Sequence, residues 1–432
     1  MWIREREMRE IAGTDSADTE FDAAITGLIE SRPALVSDPF PIYRQLLGRP
    51  GVYLWGPTVV VTHYDEVKTI ANDAVTFSNR GLMVGSRADA IRARLSGSER
   101  AAFDEVSAFE SMYISRADGD LHARLRGIAH RAFTPRKMAE LEGLLSQFTD
   151  WLLSQMLDEG QTDFVAGLSA RLPVMAINSL LDVPLADVEL IKGWTARIGK
   201  NRGGAVVADL LDAHAALNEF KDYVREIVDH HRRHPDSTDL VSALMGAAGD
   251  DLLTEDELLA TMVVLLFGGS DTTTALLGNG LHALLTHDDQ WRLLTENPQG
   301  RIGAAVEELV RYVSPVQTTW RVTTIPTTLG AQNIDEGTTV LVMIGAANRD
   351  PEKFSEPDML VLDRAPNRHV GFFFGAHFCL GAALARLEAR IVFQALAERY
   401  PHLRYLQDET IHRFQGNIQF RTIAELNVAL EG

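Results

Sequence analysis

Between Thr254 and Leu285 the chain carries apolar residues at three- and four-residue spacing with no proline, from Leu258, Leu259 and Met262 through Leu265 and Leu266 to Leu276, Leu277 and Leu281. Thr254 and Glu257 stand at the spacing of a capping box, which marks the start of a helix. A helix of roughly 32 residues rising about 1.5 Å each spans about 48 Å, the width of a whole domain. It must therefore cross an interior, and the rest of the chain must be arranged around it. Its middle, Gly268-Gly269-Ser270-Asp271-Thr272-Thr273-Thr274, works against helix formation. Each glycine costs roughly 1 kcal/mol relative to alanine, and the hydroxyls compete for backbone carbonyls. A carboxylate beside a hydroxyl on a locally loosened apolar helix suits a proton relay next to a reacting ligand. The same residues also fit a kinked core helix whose Asp271 is satisfied by an arginine.

The chain has 432 residues, 46% of them hydrophobic and 23% charged, enough apolar surface for a substantial core, so a disordered chain is excluded. Mainly helical patterns fill Met138 to Met156, Leu210 to His231 and Arg301 to Tyr312, and strand patterns recur at Thr318 to Thr324, Gly337 to Ile344 and Asn417 to Thr422. Gly56-Pro57 between two β-rich runs, Gly51 to His63, predicts a hairpin. No repeat or linker divides the chain, so the expectation is a mainly α fold with small β-sheets (α+β). Residues 1–20 read as a flexible leader and 21–432 as one large domain. The 41 basic residues against 60 acidic ones leave a net charge of −19, which disfavours nucleic acid or an anionic membrane as the main partner. The apolar runs Met262 to Phe267 and Val340 to Ile344 are far short of the roughly 20 residues that span a bilayer. The opening MWIREREMRE lacks the apolar core of an export signal, so the expectation is a cytoplasmic protein without membrane insertion.

Cys379 is the single cysteine, which excludes an intramolecular disulfide and a multi-cysteine metal site. It stands where a loop rich in glycine and aromatic residues, HVGFFFGAHFCLG, turns into a helix with Leu380, Leu384, Leu387, Ile391 and Ala395 on one face. Free N–H groups at a helix N-terminus favour a thiolate, the form needed by a soft metal ligand or a nucleophile; an inert buried thiol is the alternative. Glu308 and Arg311 share a helix face and, taken alone, read as a solvated ion pair. His122 and Arg126, one turn apart, suit an anionic ligand or form a solvated basic face. The Gly278-Asn279-Gly280 stretch matches a loose dinucleotide fingerprint but lies inside a helix. His230, His231 and His234 read as the cationic end of another.

In this order these features resemble the cytochrome P-450 superfamily of haem-thiolate monooxygenases, in its soluble bacterial form. Phe372-x-x-Gly375-x-His377-x-Cys379-x-Gly381 is similar to the family's haem loop and implies that Cys379 is the axial iron ligand, with Phe372 and Gly381 part of the haem site. Gly268 to Thr273 resembles the oxygen groove of the family's long central helix, Glu308-x-x-Arg311 its structural ion pair, and Asn348 to His369 the meander before the cysteine loop. The resemblance implies that His122, Arg126, Arg321 and His377 bind haem propionates, that Asp271 and Thr272 deliver protons, and that Glu308 and Arg311 hold the meander. It places the substrate against Met83, Val84, Phe109 and Met112 on one side and Leu265, Gly268, Val316 and Thr318 on the other. The implied cofactor is haem b, with NAD(P)H acting indirectly through a separate ferredoxin and its reductase on a monomeric protein. Arg131, Arg136, Lys137, Arg386 and Arg390 are the expected basic docking patch. The expected reaction is insertion of one oxygen atom from O2 into a medium-sized hydrophobic substrate. A haem-thiolate peroxygenase or oxidative coupling enzyme, and a non-catalytic haem sensor, are the alternatives. Two departures from the family pattern stand out. Phe373 occupies a position usually held by glycine, and Asp120 one where proline is common.

Overall fold

The long helix determines the rest of the architecture. The computed structural model describes residues 16–80, 89, 91–130, 135–160, 162–200, 207–234, 240–246, 253–406 and 414–431. α1 covers Ser16–Ile29, so residues 16–20 are helical. Phe21, Ile25 and Leu28 are buried against the sheet region, and the helix they anchor extends back to Ser16. A hairpin of β1 (Tyr53–Trp55) and β2 (Thr58–Val61) forms around Gly56, whose φ of +54° gives the turn the left-handed residue it requires. With β3 (Phe77–Ser78), β4 (Thr319–Thr323) and β5 (Thr339–Val342) it makes a five-stranded sheet ordered β1-β2-β5-β4-β3, in which only β2 and β5 run parallel.

The helical part contains α2 (Gly119–His130), α3 (Pro135–Glu159), α4 (Leu172–Leu180), α5 (Val207–Arg233), α6 (Glu255–Leu285), α7 (Pro298–Val313) and α8 (Ala382–Arg399). α6 is the predicted long helix. Thr254 Oγ1 accepts from the Glu257 N–H and Glu257 returns the bond to the Thr254 N–H, completing the capping box. α6 packs against α4, α7 and α8. By length and composition it would also cross a membrane, with a mean hydropathy of 1.3 over 18 residues, but 67% of that window is buried inside the protein. The helix is regular through its glycine and hydroxyl segment, contrary to the expected loosening. Ser270 Oγ donates to the Leu266 and Phe267 carbonyls, each at 3.1 Å, so the hydroxyls add to the carbonyl bonds rather than replacing them. Gly280, from the false fingerprint, is a packing glycine: a Cβ there would stand 2.8 Å from the Phe393 ring of α8. His230 and His231 lie in the last turn of α5 beside Arg232 and Arg233, and no cluster of metal-binding side chains occurs among the described residues.

Of the predicted strand at Asn417 to Thr422, Arg421 and Thr422 lie in β7 (Arg421–Ile423), whereas Asn417 to Gln419 form the turn of its hairpin with β6 (Phe414–Gly416). Asn417 Oδ1 accepts from the Gln419 and Phe420 N–H groups at 2.8 and 3.0 Å, an Asx turn that outweighs the β propensity of the flanking residues.

Candidate active site

The loop before α8 turns tightly because two residues adopt left-handed backbone. Gly375 has φ +64°, and a Cβ there would collide with the Ala71 carbonyl oxygen, so only glycine fits. Phe373 has φ +58°, at a cost of about 1–2 kcal/mol for an L-residue with a side chain. The position usually held by glycine thus keeps a glycine-like conformation here with a phenylalanine in it. The Cys379 N–H donates to the Phe372 carbonyl at 2.9 Å, closing the loop. α8 starts at Ala382 behind the N-cap Gly381, so Cys379 lies just ahead of the helix rather than within it.

Cys379 exposes its side chain into a cavity of about 340 Å³. Surrounding protein pushes its thiol pKa up, opposed by a backbone hydrogen bond from Gly381 and by the charges of Arg126 and Arg386. The local donors thus favour the thiolate, as the position ahead of the helix leads one to expect, and burial opposes them. α6 lines the same cavity through Val264, Leu265, Gly268, Gly269 and Thr272. Beyond the backbone of its own helix and its chain neighbours, nothing lies within 4 Å of where a Gly268 Cβ would be, so the glycine holds space open rather than admitting a neighbour. Thr272 Oγ1 donates to the Gly268 carbonyl at 2.9 Å and lines the cavity, whereas Asp271, one residue earlier, is exposed, is not among the lining residues and has an interaction of its own.

One edge of the cavity is cationic. Arg321 on β4 is 4% exposed; burial lowers its pKa to about 10, a shift tempered by Asp118 and reinforced by Arg116, so it remains charged at neutral pH. Its Nη1 donates to Thr319 Oγ1 at 3.0 Å and to the Trp320 carbonyl at 2.8 Å, and among the described residues no carboxylate lies within ion-pair distance of it. Arg126 of α2 reaches across to the Phe378 carbonyl at 2.6 Å. The His377 ring lines the cavity and stacks on that of His122, which does not, with centroids 4.0 Å apart; among the described residues neither buried Nε2 has a hydrogen-bond partner, and that of His377 lies 3.9 Å from Asp118 Oδ1. Burial depresses both imidazoles, that of His377 to about 3 with help from the charges of His122, Arg321 and Arg126, so both are neutral near pH 7. A buried guanidinium with no ion pair among the described residues, and imidazole nitrogens beside it without hydrogen bonds, suit a carboxylate. A thiol, a glycine-opened helix and partners for carboxylates around one cavity fit haem. Cys379 would hold the iron; Arg321, Arg126, His122 and His377 would hold the propionates.

Of the expected substrate contacts, Leu265, Gly268 and Val316 line the cavity. Thr318 does not. It is fully buried with its hydroxyl donating to the Ile418 carbonyl, and its neighbour Thr319 takes the cavity face, because strand residues alternate sides and Thr319 shares one with Arg321. Phe109 is buried in the helical core and Met112 packs against that core, so neither lines the cavity. Met83 and Val84 lie outside the described residues. Sequence reasoning missed Ile114, Ser115 and Ile177. Ile177 comes from α4, packed against α6 at Gly269, and only the helix pairing reveals it.

Glu308 and Arg311 are both fully buried, which overturns their reading as a solvated pair. Arg311 makes two 2.8 Å bonds to Glu308 and donates to the carbonyls of Asn348, Pro357 and Met359; Arg364, Asn367 and the Val361 N–H complete the Glu308 shell. The pair thus holds residues 348–367 in place. The docking patch is not simply basic. Arg386 is paired bidentately with Glu307, Arg390 with Glu142 and Lys137 with Glu140. Arg131 lies outside the described residues, as does the side chain of Arg136.

The Cytochrome P450 family model matches residues 208–420. The chain is 34% identical over 396 residues to the polyketide biosynthesis cytochrome P450 PksS of Bacillus subtilis, covering 90% of this chain and 93% of the relative. It is 35% identical over 378 residues to the cytochrome P450 monooxygenase PikC of Streptomyces venezuelae, covering 85% of each. The structure superposes with a TM-score of 0.81 on P450BioI in complex with a hexadec-9Z-enoic acid ligated acyl carrier protein, at 30% identity over 92% of this chain and 100% of the other.

Proposed function

The chain belongs to the cytochrome P450 family, and from that premise we propose that it inserts one oxygen atom from O2 into a medium-sized hydrophobic molecule. The products would be a hydroxylated, epoxidised or dealkylated substrate and water, with NAD(P)H oxidised through a separate ferredoxin and reductase. One observation carries this reading: the only thiol in the chain lines one cavity together with Gly268, Gly269 and Thr272 and with a buried arginine that has no ion pair among the described residues. Haem bound through Cys379 supplies dioxygen binding and activation, electron density from the thiolate favouring O–O cleavage.

The chain's own residues supply the rest. Arg321, Arg126, His122 and His377 bind the propionates and fix the plane of the group. Leu265, Val316 and Val264 seat an apolar substrate and exclude bulk water. Thr272 Oγ1 holds a proton at the cavity edge, and Asp271, exposed one residue away, passes protons from solvent to it. A hydroxyl placed against the cavity with an acid beside it favours the O2-driven reaction over a peroxide-driven or sensing role. The similarity to PksS supports a place in secondary metabolism. We assign the protein to the cytoplasm as a monomer.

The test is isotopic. A ligand found by optical titration of the ferric protein, turned over with ferredoxin, reductase and labelled dioxygen, acquires one labelled oxygen atom per molecule. Full activity with peroxide alone and no label from dioxygen overturns the proposal.

A further inference from the structure

The Phe373 backbone is the least explained feature of the cavity wall. Its φ of +58° is one that glycine adopts without strain and a phenylalanine avoids. The turn is otherwise regular, with the Phe373 N–H donating to the Val370 carbonyl at 2.8 Å. What the side chain gains is visible on its two faces. One edge packs against the buried cluster of the sheet region. A face of the ring meets the Arg321 guanidinium, whose Cζ lies 4.9 Å from the ring centroid, and both side chains line the cavity.

Arg321 needs such support. Two hydrogen bonds, both through Nη1, tie it to Thr319 and Trp320, and among the described residues no carboxylate fixes its remaining N–H groups. A planar cation lying on an aromatic ring loses its freedom to swing while its edge donors stay available. We propose that Phe373 is a positioning residue whose ring holds the Arg321 guanidinium turned into the cavity, and so sets how strongly the site prefers a porphyrin with free carboxylates. This rests on the haem reading of the cavity. It gives Phe373 a function that the glycine usual at this position cannot perform, and it accounts for the strained backbone being kept.

The test uses binding rather than turnover. Haem-free protein is titrated with iron protoporphyrin IX and with its dimethyl ester, each followed by quenching of tryptophan fluorescence. Wild type prefers the free acid. Phe373→Leu, which keeps an apolar side chain without a π face, and Phe373→Gly, which accepts the backbone without strain, each lose about fivefold of that preference. Phe373→Trp restores it. In an Arg321→Leu background, Phe373→Leu has no further effect on the preference. A free-acid preference in Phe373→Leu and Phe373→Gly equal to wild type overturns the role of Phe373 and leaves the haem reading intact. Wild-type protein that binds neither porphyrin overturns both.

Discussion

Replacing Glu308 by glutamine removes a charge without changing the shape of the side chain. Arg311 and Glu308 are fully buried, and Arg364, 6% exposed, bonds the same carboxylate at 3.1 and 3.2 Å. In Glu308→Gln both guanidinium groups lose their only carboxylate within bonding distance among the described residues. The new amide also brings two N–H donors into a shell made of donors: Arg311, Arg364, Asn367 and the Val361 N–H. Removing one partner from a buried, fully bonded pair costs about 3–5 kcal/mol, whereas a solvated pair at the same helical spacing contributes less than about 1 kcal/mol. The two outcomes separate cleanly. Denaturant unfolding of wild type and variant, followed by far-UV circular dichroism, gives the difference from the midpoints at equal slope. A loss of about 3 kcal/mol or more is expected, together with faster release of bound haem as residues 348–367 loosen. A loss below about 1 kcal/mol would refute the reasoning, since the network would then act as a surface pair.

Three further outcomes follow from the geometry. Thr272→Ala keeps haem binding but lowers product formed per NAD(P)H by at least about tenfold, with the missing electrons recovered as hydrogen peroxide; unchanged coupling would remove Thr272 from proton delivery. Gly375→Ala combines a left-handed backbone cost of about 1–2 kcal/mol with a collision against the Ala71 carbonyl, so its melting temperature falls and haem is retained poorly; an unchanged melting temperature contradicts the loop geometry. Burial alone would raise the Glu307 pKa, but hydrogen bonds from Arg386 and His369, and then their charges, bring it down to about 2. A depressed carboxyl stabilises the fold above its unfolded pKa near 4.3 and loses that contribution as pH falls toward 2. With the side chain about one-third exposed, the wild type loses about 1 kcal/mol more than Glu307→Gln between about pH 5 and about pH 3. Parallel pH profiles for the two proteins would show the pairing to be inert.

The parts of the molecule legible in the sequence were those fixed by local rules. The capping box at Thr254 and Glu257 and the apolar stripe of α6 each depend on neighbours within a few residues, and each stands where the pattern places it. The remainder depended on packing between distant segments. Spacing shows that Glu308 and Arg311 meet, but not that the Asn348, Pro357 and Met359 carbonyls close over them. Thr318 and Thr319 differ only in which side of β4 they take, a one-residue parity that sequence alone leaves open. Phe109 and Met112 read equally well as pocket or core, and the core took them. The conformation at Phe373 was flagged by a missing glycine, yet its partner Arg321 lies 52 positions earlier and emerges only from the fold.

The central claim is that Cys379 bonds a haem iron from the wall of this cavity. X-ray absorption at the iron edge of the purified, haem-loaded protein tests it most directly, comparing wild type with Cys379→Ala. A sulfur neighbour in the wild type that vanishes in the variant is the predicted result; an iron whose ligands are the same in both proteins contradicts the account.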